Sequence, residues 1–314
     1  LAGGQDDDVH RAMMEDVRRA ANRSTGVRAC RLAAIALLAL AAACSTLKLG
    51  YDNADSLLAF ALDSYFDLDD EQEQLARERA RTIVAWHRAT QLRDYVELIE
   101  AAGRRIETSV SVDEVLGYYA EMNRRLVAIG ARSAPELALL ALTLTPSQIE
   151  YFAEKLAQDN AKARRQLARN AGRDALDARV KAGVERAKEW FGTVTPEQER
   201  LIRTTLAQRA GNHAWWIAER ERQQRELIAL LQRIVAERPP PALAARWFEE
   251  YFARLAEPAD PERHAQLQRF RLGNAELIAQ LINSASPAQK AALLKKLRGY
   301  ADDFTTLAAA APRG

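Results

Sequence analysis

Cysteine is nearly missing from these 314 residues: Cys30 and Cys44 are the only two. A disulfide framework or a cysteine-ligated metal site is therefore excluded downstream of Cys44. Glycine (14) and proline (10) are scarce, and alternating runs of Val, Ile and Thr are almost absent, which leaves little basis for strands. The four histidines are His10, His87, His213 and His264. None stands in a Glu-x-x-His or His-x-x-x-His pair, which removes the di-iron bundle and zincin ligand sets. No Gly-x-Ser-x-Gly, P-loop or Gly-x-Gly-x-x-Gly motif occurs, so the sequence supports no serine hydrolase, NTPase or dinucleotide site. Neither a metal nor a cofactor is expected. Charge of one sign is also lacking. Six of the 45 Lys and Arg and five of the 43 Asp and Glu precede Cys44, leaving 39 against 38 from there on. A net +1 gives no drive toward nucleic acid.

What is present begins with Arg28 and Arg31, followed by twelve apolar residues, Leu32 to Ala43, and then Cys44-Ser45. Twelve residues fall short of the roughly 20 that span a bilayer but suit the apolar core of a signal peptide. With Ala41-Ala42-Ala43 before Cys44, the stretch resembles a bacterial lipobox. Ala41 stands where leucine is usual, and Leu40 lies one place further back. The expectation is cleavage before Cys44 and acylation of that cysteine, which anchors the chain in a membrane facing the periplasm. Ser45, rather than Asp, resembles the pattern of lipoproteins passed to the outer membrane. Residues 1–27, with Asp6-Asp7-Asp8, make a poor and over-long leader, so initiation is expected near Met13, Met14 or Val27. Residues 1–43 are thus read as a signal peptide with an extension, and 44–51 as lipidated Cys plus a short linker. The helix that follows is expected to lie near the lipid surface.

Leu, Ala, Arg, Glu and Gln dominate the rest, and all favour helix. A helix-start signature recurs at Asp69 with Gln72, Thr145 with Gln148, Thr195 with Gln198 and Ser286 with Gln289. The cap oxygen of each takes an orphan N–H, and the Gln reaches back to the cap's own N–H. Proline at the first helical position of the last three strengthens the reading. Spacings of 76, 50 and 91 residues are too unequal for a solenoid. Between these starts the apolar period is near 3.6. It predicts helices over 52–66, 69–107, 111–130, a short one opened by Pro135, then 145–191, 195–236, 241–256, 261–284 and 286–308. The fold class is all-α: an elongated multi-helix bundle in which the two longest helices form an antiparallel hairpin about Gly192-Thr193-Val194. Pro239-Pro240-Pro241 divides a helical body, 52–238, from a C-terminal helical segment, 239–314, packed on it.

The start of the chain after Cys44 carries a resemblance. Leu49-Gly50-Tyr51-Asp52-Asn53, Leu57-Leu58, Leu62-Asp63-Ser64-Tyr65-Phe66-Asp67-Leu68 and Gln72 resemble an uncharacterised proteobacterial lipoprotein family, domain of unknown function 6279. The resemblance implies a lipidated, helical protein and no assigned activity. Asp69 departs from the Thr usual at the first cap of that family. Locally, Leu144-Thr145-x-x-Gln148 and Val194-Thr195-x-x-Gln198 are similar to the Leu-Thr-x-x-Gln box of small periplasmic helical chaperones, though good helix starts in general share the pattern.

Two surfaces are candidates for binding. Lys162 to Lys188 holds nine basic residues against three acidic, and Lys162, Arg164, Arg165, Arg169, Arg173 and Arg179 form a candidate basic arm for a client. Trp247, Phe248, Tyr251 and Phe252 cluster at helical spacing, either as core or as an aromatic patch. Carboxylate pairs such as Glu150/Glu154 and Glu185/Glu189 read as solvated helix faces. The function expected is a non-catalytic, lipid-anchored binding or scaffold protein of the envelope, with a membrane and an envelope protein as partners. A Leu-Thr-x-x-Gln chaperone is the alternative, and a carboxylate-dependent envelope enzyme the lesser one.

Overall fold

The computed structural model describes residues 47–169, 175–209 and 212–310, with the side chains of Asn212 and His213 excepted. Residues 1–43, Cys44 and Arg173 lie outside the described residues. The chain divides into two units, Leu1–Asp52 and Asn53–Gly314. Of the first, residues 47–52 are described, and they are helical.

The second unit is all-α, a multi-helix bundle with no strand among the described residues. Its helices are α1 (Ala54–Phe66), α2 (Asp70–Glu107), α3 (Val112–Ala141), α4 (Pro146–Arg169) and α5 (Ala175–Phe191). Then follow α6 (Pro196–Gln208), α7 (Asn212–Glu237), α8 (Pro241–Ala256), α9 (Pro261–Asn283) and α10 (Pro287–Ala309). The starts lie where the caps put them. Asp69, Thr195 and Ser286 each accept from the third helical residue, whose Gln returns a bond to the cap backbone. The stops have equally local causes. Gly192 adopts φ +74° and closes α5 with its N–H on the Lys188 carbonyl, 2.8 Å away. Arg238, at φ +46°, closes α7 in the same way on Ile234, and Pro239 and Pro240 bar its continuation.

Two helices differ from expectation. Pro135 opens nothing: it lies inside α3, which runs through to Ala141. Tertiary packing decides this. Ala134 and Ala138 are fully buried and Ala141 nearly so, and this small-residue stripe packs α3 on α8. A Cβ on Gly130 would come within 2.7 Å of the Phe252 ring, so glycine there sets the closeness of the two helices. The expected helix over 195–236 is interrupted. α6 ends at Gln208, and Arg209 leaves helical backbone with φ −112°, ψ 27°. The Arg209 guanidinium instead crosses to α9 and donates to Asn274 Oδ1 at 2.6 Å. The expected helix over 145–191 is described as α4 and α5, with residues 170–174 between them outside the described residues. α5 pairs with α6 across the Gly192 turn, and α4 pairs with α7.

Two large apolar clusters and a small third one of Ala59, Ala76 and Leu140 hold the unit together. One large cluster joins α1, α3, α4, α7 and α8, with Phe66 stacked on Phe152 at 4.4 Å and Ile234 fully buried. The other joins α5, α6, α9 and α10 with the α2–α3 turn, around Val180, Ile202, Ala275 and Leu293. Residues beyond Pro239 complete both large clusters: α8 lies on α3, α9 on α3 and α10 along α2. Full burial of a side chain such as Ile234 contributes about 1.5–3 kcal/mol.

Candidate functional site

The four cap glutamines do more than close their own helices. Gln72 and Gln148, from α2 and α4, face each other as a reciprocal amide pair. Gln72 Nε2 donates to Gln148 Oε1 at 3.1 Å and to the Thr143 carbonyl at 3.0 Å. Gln148 Nε2 donates to Gln72 Oε1 at 2.6 Å and to the Asp67 carbonyl at 3.0 Å. Each Oε1 also accepts from its own cap N–H, at 3.1 Å for Asp69 and 3.0 Å for Thr145. Both amides thereby use two donors and two acceptor sites, the full capacity of the group.

The arrangement repeats at the other apolar cluster. Gln289 Nε2 donates to Gln198 Oε1 at 2.8 Å and to the Thr193 carbonyl at 2.9 Å, while Gln198 Nε2 donates back to Gln289 Oε1 at 3.3 Å. Gln198 and Gln289 are 3% and 2% exposed. Each pair fastens one helix–turn–helix corner to another: the α1–α2 corner to α3–α4, and the α5–α6 corner to α9–α10. The eight cap-box residues Asp69, Gln72, Thr145, Gln148, Thr195, Gln198, Ser286 and Gln289 thus form two structural locks. Their cap oxygens and glutamine amides hydrogen-bond to one another and to the corner backbone.

The candidate basic arm is partly drawn into the bundle. Lys162 bonds Asp159 at 3.1 Å, and Asp159 also accepts from Tyr65 of α1 at 2.9 Å. Those two hydrogen bonds, Lys162 first, hold the Asp159 carboxyl below its ordinary range. Arg164 pairs with Glu221 of α7, which is 9% exposed. Arg169 donates to Gln166 at 2.6 Å, and Arg179 to the Ala175 carbonyl at 3.2 Å. Arg164 and Arg165 line a groove of 460 Å³ between α4 and α7, with Asn160, Gln224 and Arg225 on its walls.

The candidate aromatic patch is core. Trp247, Phe248 and Tyr251 are 8%, 4% and 6% exposed, and Phe252 packs on Phe248 and on Gly130. Arg233 lies 3.7 Å above the Trp247 ring. The i, i+1, i+4, i+5 spacing is that of a buried helix face closing on α3. Burial pushes the Tyr251 phenol up to about 12. The large apolar side chains that do face solvent include Leu57, Leu58 and Phe60 on α1, exposed by 55%, 45% and 70%.

Comparison with known proteins gives one match. Residues 64–244 fit the model of a Family of unknown function (DUF6279). This chain belongs to DUF6279. No curated protein and no solved structure matches it. The DUF6279 match opens two residues before the end of α1 and takes in three of the four cap boxes. Gln289, which locks onto Gln198, lies beyond it. Among the described residues no helix is long and apolar enough to cross a membrane, and no group of His, Cys, Asp and Glu could hold a metal ion.

Sequence reasoning missed three features of this DUF6279 chain. A fifth capping box joins Ser111 and Glu114 at the start of α3, readable as Ser-x-x-Glu. Asn283, at the end of α9, exchanges two 2.9 Å hydrogen bonds with the backbone of Val110 in the α2–α3 turn. No local pattern announces that contact. On α7, Glu219 is clamped by Arg222 at 2.8 Å and Arg263 at 3.0 Å. Burial alone would raise the Glu219 carboxyl, but the hydrogen bonds and charges of the two guanidiniums outweigh it and hold the group at about 2.

Proposed function

We propose that this protein is a lipid-anchored envelope protein that acts by binding or scaffolding rather than by catalysis. The observation that carries the reading is the solvent-facing apolar surface of α1. Leu57 and Phe60 lie three residues apart on one helix face, with Leu58 beside them. Cys44, at the end of the apolar run 32–43, precedes α1 by ten residues. An apolar helix face left open ten residues along the sequence from a proposed acylation site suits the headgroup boundary of a bilayer, where burying it removes the cost of its exposure to water. The scaffold role is supported by how cations and carboxylates such as Arg222, Arg263 and Glu219 are spent on internal pairing. Outer-membrane placement rests on Ser45.

A thiol fluorophore at Leu57→Cys tests this, because acylated Cys44 cannot react. In the mature protein on vesicles, the probe shifts to the blue and is quenched by spin-labelled lipid. The same probe at Arg200→Cys on α6 does neither. Equal spectra at the two positions contradict the membrane-facing role of α1.

A client-binding chaperone is the second reading, favoured by the exposed guanidiniums of Arg164 and Arg165 along the α4–α7 groove. It requires salt-dependent binding of an unfolded acidic client that Arg165→Glu abolishes. The Leu-Thr-x-x-Gln boxes lend it no weight, since their glutamines are engaged in the two locks.

A further inference from the structure

Two apolar clefts lie side by side in the cluster of α5, α6, α9 and α10. One, of 540 Å³, is floored by Ile202, Phe191 and Leu281. The other, of 570 Å³, continues toward Val115, Tyr119 and Met122. Both are bounded by Trp190, Ile278, Ile282 and Leu293. Ile278, at the junction, is 36% exposed, so the two spaces adjoin beneath a side chain already open to solvent. Each falls within the range of about 300–1,000 Å³ usual for ligand pockets.

The polar groups are distributed unevenly. At the first cleft they are Arg186 and Asn274. Arg186 is exposed and makes no ion pair among the described residues. Asn274 carries the Arg209 guanidinium, which sits over Gly273 so closely that a Cβ there would lie within 2.5 Å of it. Burial depresses the ionisation of Arg209, and Glu276 acts on it only through space. One end of the double cleft therefore presents the Arg186 guanidinium and the Asn274 amide, with Arg209 held behind Asn274. At the second cleft the one charged wall residue is Arg105, already paired with Glu114. The remaining wall is hydrocarbon and aromatic.

We propose that this double cleft binds a long-chain amphiphile with an anionic head. The head group lies at Arg186 and Asn274, and a single acyl chain runs past Ile278 into the second cleft. The chemistry selects such a ligand. A peptide in the second cleft would turn part of its backbone N–H and C=O groups toward walls that offer them almost nothing, and each such group left unpaired is costly. An acyl chain has no such groups. Each methylene it buries contributes about 0.8 kcal/mol, and a carboxylate or phosphate supplies the counter-charge that Arg186 lacks. The inference is independent of how the chain is anchored.

Titration calorimetry of the full mature protein, with ligands kept below their micellar concentrations, tests it. The probes are hexadecanoate, 1-hexadecanol and hexadecyltrimethylammonium, which share a tail and differ in head. Hexadecanoate is expected to bind saturably at one per chain and tightest of the three. Arg186→Glu should weaken hexadecanoate by at least about tenfold and leave hexadecanol unchanged. Ile278→Arg, and Ile278→Gln as the milder change at this exposed position, should weaken all three, with thermal unfolding unaltered. Vesicles of phosphatidylglycerol as the sole donor separate sources. Transfer of a whole two-chain lipid in place of hexadecanoate overturns the single-chain assignment. Absence of saturable binding, equal affinity for the three heads, or indifference to both Ile278 variants overturns the site.

Discussion

Replacing Gln289 with leucine leaves Gln198 Nε2, Thr193 C=O and Ser286 N–H without the partner each now has. A buried polar group left unsatisfied costs about 1–3 kcal/mol, so Gln289→Leu is expected to lower unfolding free energy by about 3 kcal/mol in urea titrations. The double variant Gln198→Leu, Gln289→Leu should cost less than the two singles added together, because the pair is removed as a unit. Gln148 is only half-buried, so Gln148→Leu should cost less than Gln289→Leu, water replacing part of the lost bonding. Glu219 sets a pH dependence at the same scale. Its folded value, about 2, lies below the 4.5 ordinary for a glutamate. The stabilisation is therefore complete above the ordinary carboxylate range and lost as pH falls through it toward 2. Thermal melts should decline over that acid window, and Glu219→Gln should decline less steeply there while starting from a lower melting temperature.

Among the elements, α3 shows how packing overrules a local signal. Proline inside a helix removes a hydrogen bond and crowds the preceding turn, at about 3 kcal/mol. Pro135 is nonetheless carried within α3, because Gly130, Ala134, Ala138 and Ala141 give α8 a close, continuous seat. Ala134→Leu overfills that seat and should destabilise by about 1–3 kcal/mol in thermal melts, whereas Leu126→Ala on the exposed side of the same helix should cost little. The helix starts were legible because a capping box is a contact between residues three apart. That the boxes meet in pairs was not legible, because the pairing spans 76 and 91 residues. A trace of it does stand in the sequence. Asp67-Leu68-Asp69, Thr143-Leu144-Thr145, Thr193-Val194-Thr195 and Ser284-Ala285-Ser286 share a polar–apolar–polar corner, and the partner glutamine donates to the first residue's carbonyl in three of the four. The aromatic spacing of Trp247 to Phe252 was equally legible as a face. Whether that face met α3 or solvent was decided by the small residues opposite, which lie over a hundred positions away.

At the scale of the whole molecule, the bundle of α1 to α10 has two locked pairs of corners, each beside an apolar cluster, with α1 keeping Leu57, Leu58 and Phe60 outside both. An all-α chain was readable from composition and period alone. The apolar double cleft was not, because its walls come from helices that only tertiary packing brings together. We propose that a lipid on Cys44 holds this bundle at a membrane. Metabolic labelling with an alkyne-bearing fatty acid tests it most directly, read on the purified protein and on Cys44→Ala. Label is expected on the wild-type protein, cleaved before Cys44 and found in the membrane fraction, and none on the variant. A wild-type protein without label, or equal label on the variant, would contradict it.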